Sequence, residues 1–347
     1  MPGHPPSDHS HADQSRGAAL YAPYPLTLDP ALLGLDRIEV TGSTEVTGST
    51  EAQGSIGTAV AHYRRTSRST RATIFLHGAA GSWTTWTPLL QAADDAGVPI
   101  ANPVLLDLPG FGDAQLTADE HTLTLDAVCA IVKQAAEELG YTEWDIIGHS
   151  MGGFIALHMA SLWRESVLSV GVVSGTGRSI IRSVEHPARN FGELPAFTLL
   201  WRAMVLLAPA GQAVSAILTG LRRVGMLRTA VSPLFRHTFR VDRSVINALG
   251  EELRPRPFAL AATMVRGYNA EARWGRIHCP VRALNGDHDA FSTADDLRRL
   301  GAAIPGSVLS VIDDCGHFAA IERPREVLLA LGYILPPLAH SRAAQPS

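Results

Sequence analysis

Cysteine is scarce in this chain of 347 residues: Cys129, Cys279 and Cys315 stand far apart, form no metal-ligand or redox spacing, and read as free thiols. A disulfide-stapled scaffold is excluded. Nothing in the cysteine pattern calls for an oxidising compartment, so a cytoplasmic protein is expected. Long apolar runs are also missing. The longest apolar stretch is interrupted by Arg202 and followed by Pro209, short of the ~20 residues that a bilayer span needs, so no transmembrane segment is expected. The chain does not open with basic residues followed by an apolar stretch, which argues against a secretory signal. Charged residues make up 18% of the chain and the formal net charge is −4. With no nucleic-acid motif either, nucleic acid is not an expected partner. Hydrophobic residues make up 46%, enough at this length for one large layered core.

The first 35 residues hold many Pro, Ser, His and Asp without apolar periodicity, and the segment 1–35 is expected to be disordered, with a flexible tail over 339–347. Its three histidines, His4, His9 and His11, read as part of a solvated tail rather than as a metal trap. Thr41–Val46 is nearly repeated by Thr47–Ala52, a local duplication between the first two strands and too polar for a repeat architecture. From there the pattern alternates. Strands are predicted near 37–41, 58–64, 72–76, 103–107, 144–148, 168–173, 280–285 and 307–312, and helices near 84–96, 122–139, 152–162, 293–303 and 324–335. Such alternation implies an α/β architecture: a mostly parallel eight-stranded sheet, helices on both faces, and an antiparallel edge from the first strand pair.

Between about 176 and 275 the alternation stops, and helix formers with apolar runs take over. From Arg178 to Arg276 there are 15 arginines, no lysine and six acids, a balance of +9 in a chain whose total is −4. Pairing with acids of the neighbouring domain is the favoured explanation. A substrate carboxylate or phosphate, or an anionic membrane surface, are the alternatives.

The densest chemical signal is Trp144-Asp145-Ile146-Ile147-Gly148-His149-Ser150-Met151-Gly152-Gly153. An apolar strand delivers a serine flanked by glycines and passes into a helical pattern, so the serine sits at a sharp turn with its hydroxyl pushed out above the sheet. The N–H groups that open the helix point toward negative charge developing beside that hydroxyl. Ser150 is therefore the candidate nucleophile. It needs a base, and of the 14 histidines His317 has the right context: it follows the alternating run Val308–Ile312 and the loop Asp313–Gly316, and precedes a helix starting near Pro324. An orienting carboxylate is expected after the strand Pro280–Asn285, where Gly286-Asp287-His288-Asp289 offers two aspartates. Spacing favours Asp289, deeper in the loop, and suits Asp287 to bracing the turn. A further strand, Arg71–Leu76, ends in His77-Gly78-Ala79-Ala80-Gly81. By position the backbone N–H of Ala79 and that of Met151 form an oxyanion hole, and His77 reads as a turn brace.

Taken together, His77-Gly78, Asp107-Leu108-Pro109-Gly110-Phe111-Gly112, Gly148–Gly153, Gly286–Asp289 and Gly316-His317 resemble the α/β-hydrolases of the bacterial esterase, lipase, haloperoxidase and carbon–carbon hydrolase group. The loop after Gly112 departs from many relatives in carrying Asp113-Ala114 where a serine is frequent. The resemblance implies a core of 36–175 and 276–338, with 176–275 as a helical cap over Ser150. It also implies a catalytic triad of Ser150, Asp289 and His317, with no cofactor and no metal. The expected reaction is hydrolysis of a carboxylic ester of a small to medium apolar substrate. A carbon–carbon hydrolase of ring-cleavage products, a lactonase or a thioesterase keeps the same triad, and a ligand receptor on this fold is the non-enzymatic alternative. A serine rather than an aspartate at the elbow speaks against haloalkane dehalogenase and epoxide hydrolase chemistry.

Overall fold

The eight strands form one sheet in the order β1-β2-β4-β3-β5-β6-β7-β8. They are β1 (Asp36–Ser43), β2 (Ser55–Tyr63), β3 (Arg71–Leu76), β4 (Pro103–Asp107), β5 (Glu143–His149), β6 (Val167–Val173), β7 (Val281–Gly286) and β8 (Val308–Ile312). The chain is seen here as a computed structural model that describes residue 21 and residues 23–43, 55–175, 177–223 and 225–335. β1 pairs with β2 and β2 with β4 in antiparallel fashion, and the pairings from β4 through β8 are parallel.

The central strands are buried on both faces, and their alternate side chains divide between two cores. Ile74, Val104, Ile146 and Val172 point into one cluster, shared with the helices α2 (Leu125–Glu138) and α3 (Met151–Leu162). Phe75, Leu105, Ile147, Val173 and Leu284 point into the other, under α1 (Thr87–Asp95) and a C-terminal helix, Pro324–Leu331. This two-sided burial explains why the strands read as unbroken apolar runs.

Helix boundaries follow local chemistry. The first turn of the helix expected at 84–96 is a 3-10 turn, Trp83–Trp86, before α1 begins. The Thr124 side chain accepts the Ala127 N–H at the start of α2. Between β6 and β7 lies a helical insertion: α4 (Arg178–Glu185), α5 (Pro195–Leu207), α6 (Gly211–Arg223), α7 (Leu227–Ala230), α8 (Arg243–Glu252), α9 (Pro255–Thr263) and α10 (Ala270–Trp274). The chain then returns to the sheet. Thr293 and Asp296 form a reciprocal capping box at the start of α11 (Ala294–Ala303). A short α12 (Ala319–Glu322), not anticipated from the sequence, precedes α13 (Pro324–Leu331), which stops at Gly332 in the left-handed region (φ 84°) rather than running to 335.

The expected disorder of 1–35 needs correction for Tyr21 and residues 23–35. Tyr21, Leu26 and Leu35 are buried, Leu26 N–H donates to Ser244 Oγ (2.9 Å) and Thr27 N–H to Thr87 Oγ1 (3.0 Å). The strap is mostly extended and irregular, so its apolar residues carry no period that a sequence pattern could expose. Residues 1–20, the loop copy at 44–54 and the tail 339–347 lie outside the described residues. Among the described residues no helix is long and apolar enough to cross a membrane.

Candidate active site

Ser150 joins β5 to α3 with φ 52° and ψ −116°, a conformation that a non-glycine residue holds only when its surroundings impose it. The imposing contacts are backbone to backbone. A Cβ on Gly148 would lie 2.2 Å from the Gly152 carbonyl oxygen, and one on Gly152 would lie 2.0 Å from that of Leu76. Both positions therefore require glycine. Ser150 N–H donates to the Val173 carbonyl (3.0 Å), which ties the turn to β6, and Gly153 N–H returns to the Ser150 carbonyl (3.0 Å) as the helix begins. The glycine-rich loop after β3 comes equally close, since a Cβ on Gly78 would sit 2.8 Å from His149 Nδ1 and 3.1 Å from Ser150 Cβ.

His317 follows β8 on a loop that is exposed at Asp313 and buried from Cys315 onward. Its Nδ1 lies 2.8 Å from Asp289 Oδ1 and 3.0 Å from Oδ2. Asp289 is fully enclosed, and Oδ1 also accepts the N–H groups of Phe291 (2.8 Å) and Ser292 (3.0 Å). A carboxylate held this way can only accept, so Nδ1 carries the proton and Nε2 is left as the acceptor. Asp287 is turned elsewhere: it accepts the Cys315 N–H (2.9 Å) and lies 2.8 Å from His288 Nδ1. One aspartate thus lies against His317 and the other inside the turn. The His317 backbone is fixed from two sides, its N–H donating to the Leu234 carbonyl of the insertion (2.9 Å) and its carbonyl accepting His149 Nε2–H (3.0 Å).

Burial keeps the neighbouring histidines neutral. His77 is pushed down to about 4, and it donates from Nδ1 to the Gly78 carbonyl (2.7 Å) while Nε2 accepts the Leu108 N–H (3.0 Å). It braces the loop. His149 is likewise driven well below the usual imidazole range by burial and, second, by the nearby His317.

Ser150, His149 and His317 share one cavity with Gly78, Ala79 and Met151, enclosing about 940 Å³ with its open mouth included. Its remaining wall is apolar and comes largely from the insertion, including Phe197, Leu200, Phe258 and Val265. Among the described residues none that lines it is an arginine or lysine. Several arginines of the insertion are engaged elsewhere: Arg178 pairs with Glu271, Arg182 with Glu193 (3.5 Å) and Arg254 with Glu252 (3.3 Å), all within the insertion. Arg236 does reach a core acid, Asp314 (3.1 Å).

The sequence reading missed Glu322. This fully buried acid accepts Gly316 N–H (3.0 Å), beside His317, and Arg236 N–H (2.8 Å) from the insertion, and the Tyr21 hydroxyl donates to it at 3.3 Å. Burial raises it to about 7. The available signal was a single acid at the end of the apolar run Phe318–Ile321. Among the described residues one group could hold a metal ion: His62, Asp107 and Asp113, with donor atoms within 4.8 Å of one another. None of the three lines the cavity, and Asp107 already accepts the N–H groups of Trp83 (2.7 Å) and Asp113 (3.0 Å), which fixes it as a loop brace.

Known proteins share this plan. A thermophilic esterase from Thermogutta terrifontis superposes with a TM-score of 0.62 at 21% identity, covering 85% of this chain and 96% of that one. The enol-lactonase from Burkholderia xenovorans LB400 gives 0.61 at 17% identity, over 79% and 96%. In sequence, the 2-hydroxy-6-oxononadienedioate/2-hydroxy-6-oxononatrienedioate hydrolase 1 of Pseudomonas putida is 23% identical over 265 residues, which is 75% of this chain and 86% of that protein. Epoxide hydrolase 4 of Mus musculus is 29% identical over 120 residues, but these are 34% of this chain and 32% of that protein. The family model described as alpha/beta hydrolase fold matches residues 73–324, from β3 to the start of α13. With the sheet order, the glycine-bound serine turn and that match in agreement, this chain belongs to the alpha/beta hydrolase fold family.

Proposed function

We propose that the protein is a serine hydrolase that cleaves a neutral carboxylic ester through an acyl-enzyme. In this reading Ser150 Oγ attacks the carbonyl carbon while His317 Nε2 takes its proton, and Asp289 holds the imidazole in the needed tautomer and stabilises the imidazolium. The N–H groups of Ala79 and Met151 meet the oxyanion. The imidazolium then gives its proton to the departing alcohol. Water, deprotonated by the same Nε2, attacks the acyl-enzyme carbonyl, and as the acyl–Oγ bond breaks to release the carboxylic acid the imidazolium returns the proton to Ser150 Oγ. The observation that carries the reading is the enclosed Asp289 bonded to His317 in the wall of the cavity that also holds Ser150.

The cavity supports the substrate class. Its uncharged, mostly apolar wall suits a neutral acyl or alcohol group, and each methylene taken from water contributes about 0.8 kcal/mol, or roughly fourfold in kcat/KM until the space is filled. The dienedioate hydrolases among the relatives are named for dicarboxylates. A substrate of that charge would call for cations in the wall, where none of the lining residues supplies one. The insertion acts as the cap that sets this preference.

A panel of p-nitrophenyl esters with short neutral, long neutral and carboxylate-ended acyl chains, run beside a ring-cleavage dienoate, tests both parts. The long neutral ester is expected to give the highest kcat/KM and the carboxylate-ended one the lowest. Turnover of the dienoate alone would favour carbon–carbon hydrolysis, and absence of both turnover and fluorophosphonate labelling would favour a receptor.

A further inference from the structure

The surplus of arginine in the insertion finds no use in the cavity, and part of it has no use in ion pairing. From residue 194 to residue 241 the sequence contains six arginines and no Asp or Glu. This acid-free segment spans α5, α6 and α7. Helix α5 is amphipathic with two occupied faces. Phe197, Trp201 and Met204 are buried, and Phe197 and Leu200 reach the cavity. On the opposite side Leu199, Arg202 and Leu206 follow one another at i, i+3 and i+7, and all three are exposed.

This face groups leucines that are 60% and 79% exposed, with Arg202 between them and Val205 44% exposed beside them. The same segment exposes Ile217 on α6 and, beyond it, Met226 and Phe239. Among the described residues neither Arg202 nor Arg223, both exposed, has an ion-pair partner, in contrast to Arg178, Arg182 and Arg254. Exposed apolar side chains, unpaired arginines and no carboxylate within the segment is the combination that an anionic lipid surface complements. The apolar groups enter the acyl boundary and the guanidinium groups meet the headgroup phosphates.

We infer that the outer face of α5 docks onto an anionic lipid surface. The docked helix lies in the interface plane rather than across the bilayer, since α5 has 13 residues and is tied to the fold by its buried side. Because the other side of α5 forms part of the cavity wall, docking brings the cavity next to the apolar phase from which an apolar ester would be drawn. The docking itself does not depend on the proposed chemistry.

Co-sedimentation of the full chain with phosphatidylcholine vesicles, with and without 30% phosphatidylglycerol, tests the inference. Binding to the anionic vesicles is expected, with little to neutral ones, and it should fall as salt rises from 50 to 500 mM. Arg202→Glu should lower the partition coefficient at least about fivefold, the effect of one basic residue near such a surface. Leu206→Glu should lower it further, while Leu32→Glu, at an equally exposed leucine of the N-terminal strap, should leave it unchanged. Hydrolysis of a water-soluble ester should be unaffected by Arg202→Glu, and Ser150→Ala should still sediment, which separates docking from catalysis. Equal binding to both vesicle types, or unchanged binding of both face variants, overturns the proposal. So does a solution dimer that Leu206→Glu dissolves, which would assign the face to a second copy of the chain.

Discussion

Replacing Asp289 by Asn changes one atom and tests the reading of the site more sharply than deleting any side chain. In the wild-type protein Oδ1 accepts the Phe291 and Ser292 N–H groups at 2.8 and 3.0 Å, and His317 Nδ1 lies 2.8 Å from that same oxygen and 3.0 Å from Oδ2. The asparagine would keep its carbonyl oxygen on the two backbone donors, because turning the amide nitrogen toward them would oppose donor with donor. Its NH2 group then faces His317 Nδ1. With that donor in the Oδ2 position, 3.0 Å away, the favoured tautomer has Nδ1 as acceptor and the ring proton on Nε2, where no lone pair remains to take a proton from Ser150. The expected loss in kcat is about 10⁴-fold, or ~5.5 kcal/mol of transition-state stabilisation, with the fold intact because both backbone bonds survive. Asp287→Asn keeps its acceptor for Cys315 N–H and faces no catalytic ring, so kcat should stay within about tenfold of wild type, with a stability cost near 1 kcal/mol. The assay is steady-state hydrolysis of a long neutral p-nitrophenyl ester at pH 8, with circular dichroism to verify folding. An Asp289→Asn protein that retains a tenth of wild-type kcat, or an inactive Asp287→Asn protein beside it, would refute the assignment.

Ser150→Gly should abolish ester turnover yet raise Tm, because glycine accepts the positive φ that serine holds under strain, with roughly 1 kcal/mol recovered; differential scanning fluorimetry showing a lower Tm would contradict the strain argument. Gly152→Ala places a methyl group 2.0 Å from the Leu76 carbonyl oxygen and should cost several kcal/mol, read as lost soluble expression or a collapsed Tm; a normally stable protein would mean that the elbow is looser than described. For Glu322, burial lifts the folded-state value from 4.5 to about 7, so the folded protein binds the proton more tightly than the unfolded chain and this group's contribution to stability declines as pH rises from 4.5 to 7. Glu322→Gln lacks that decline. The difference in Tm between wild type and variant should therefore shift steadily against wild type over that interval, and a constant difference would exclude the linkage.

Much of the fold was legible because its signals are local. Apolar runs such as Ile74–Leu76 and Pro103–Leu106 are satisfied as strands buried on both faces, and the flanking amphipathic segments must cover them. The serine turn was legible for a harder reason: Gly148 and Gly152 are demanded by backbone contacts that no other residue permits, so the pattern and the geometry are the same fact. The preference for Asp289 over Asp287 rested on spacing, and in the structure that spacing separates a carboxylate facing the ring from one facing its own turn.

What the sequence could not express depends on contacts between distant segments. The N-terminal strap looked structureless because Tyr21, Leu26 and Leu35 follow no period, and only the grooves they fill give them a role. Glu322 gains its importance by joining Tyr21, Arg236 and Gly316, which lie in three separate stretches of chain. The arginine surplus was visible as a sum, but which arginines pair, and that among the described residues none lines the cavity, are outcomes of packing. Sequence determined the sheet and the serine turn, since each is encoded within a few neighbouring positions; tertiary structure decided what lines the cavity and which face of α5 is left to water, since each depends on where remote side chains converge.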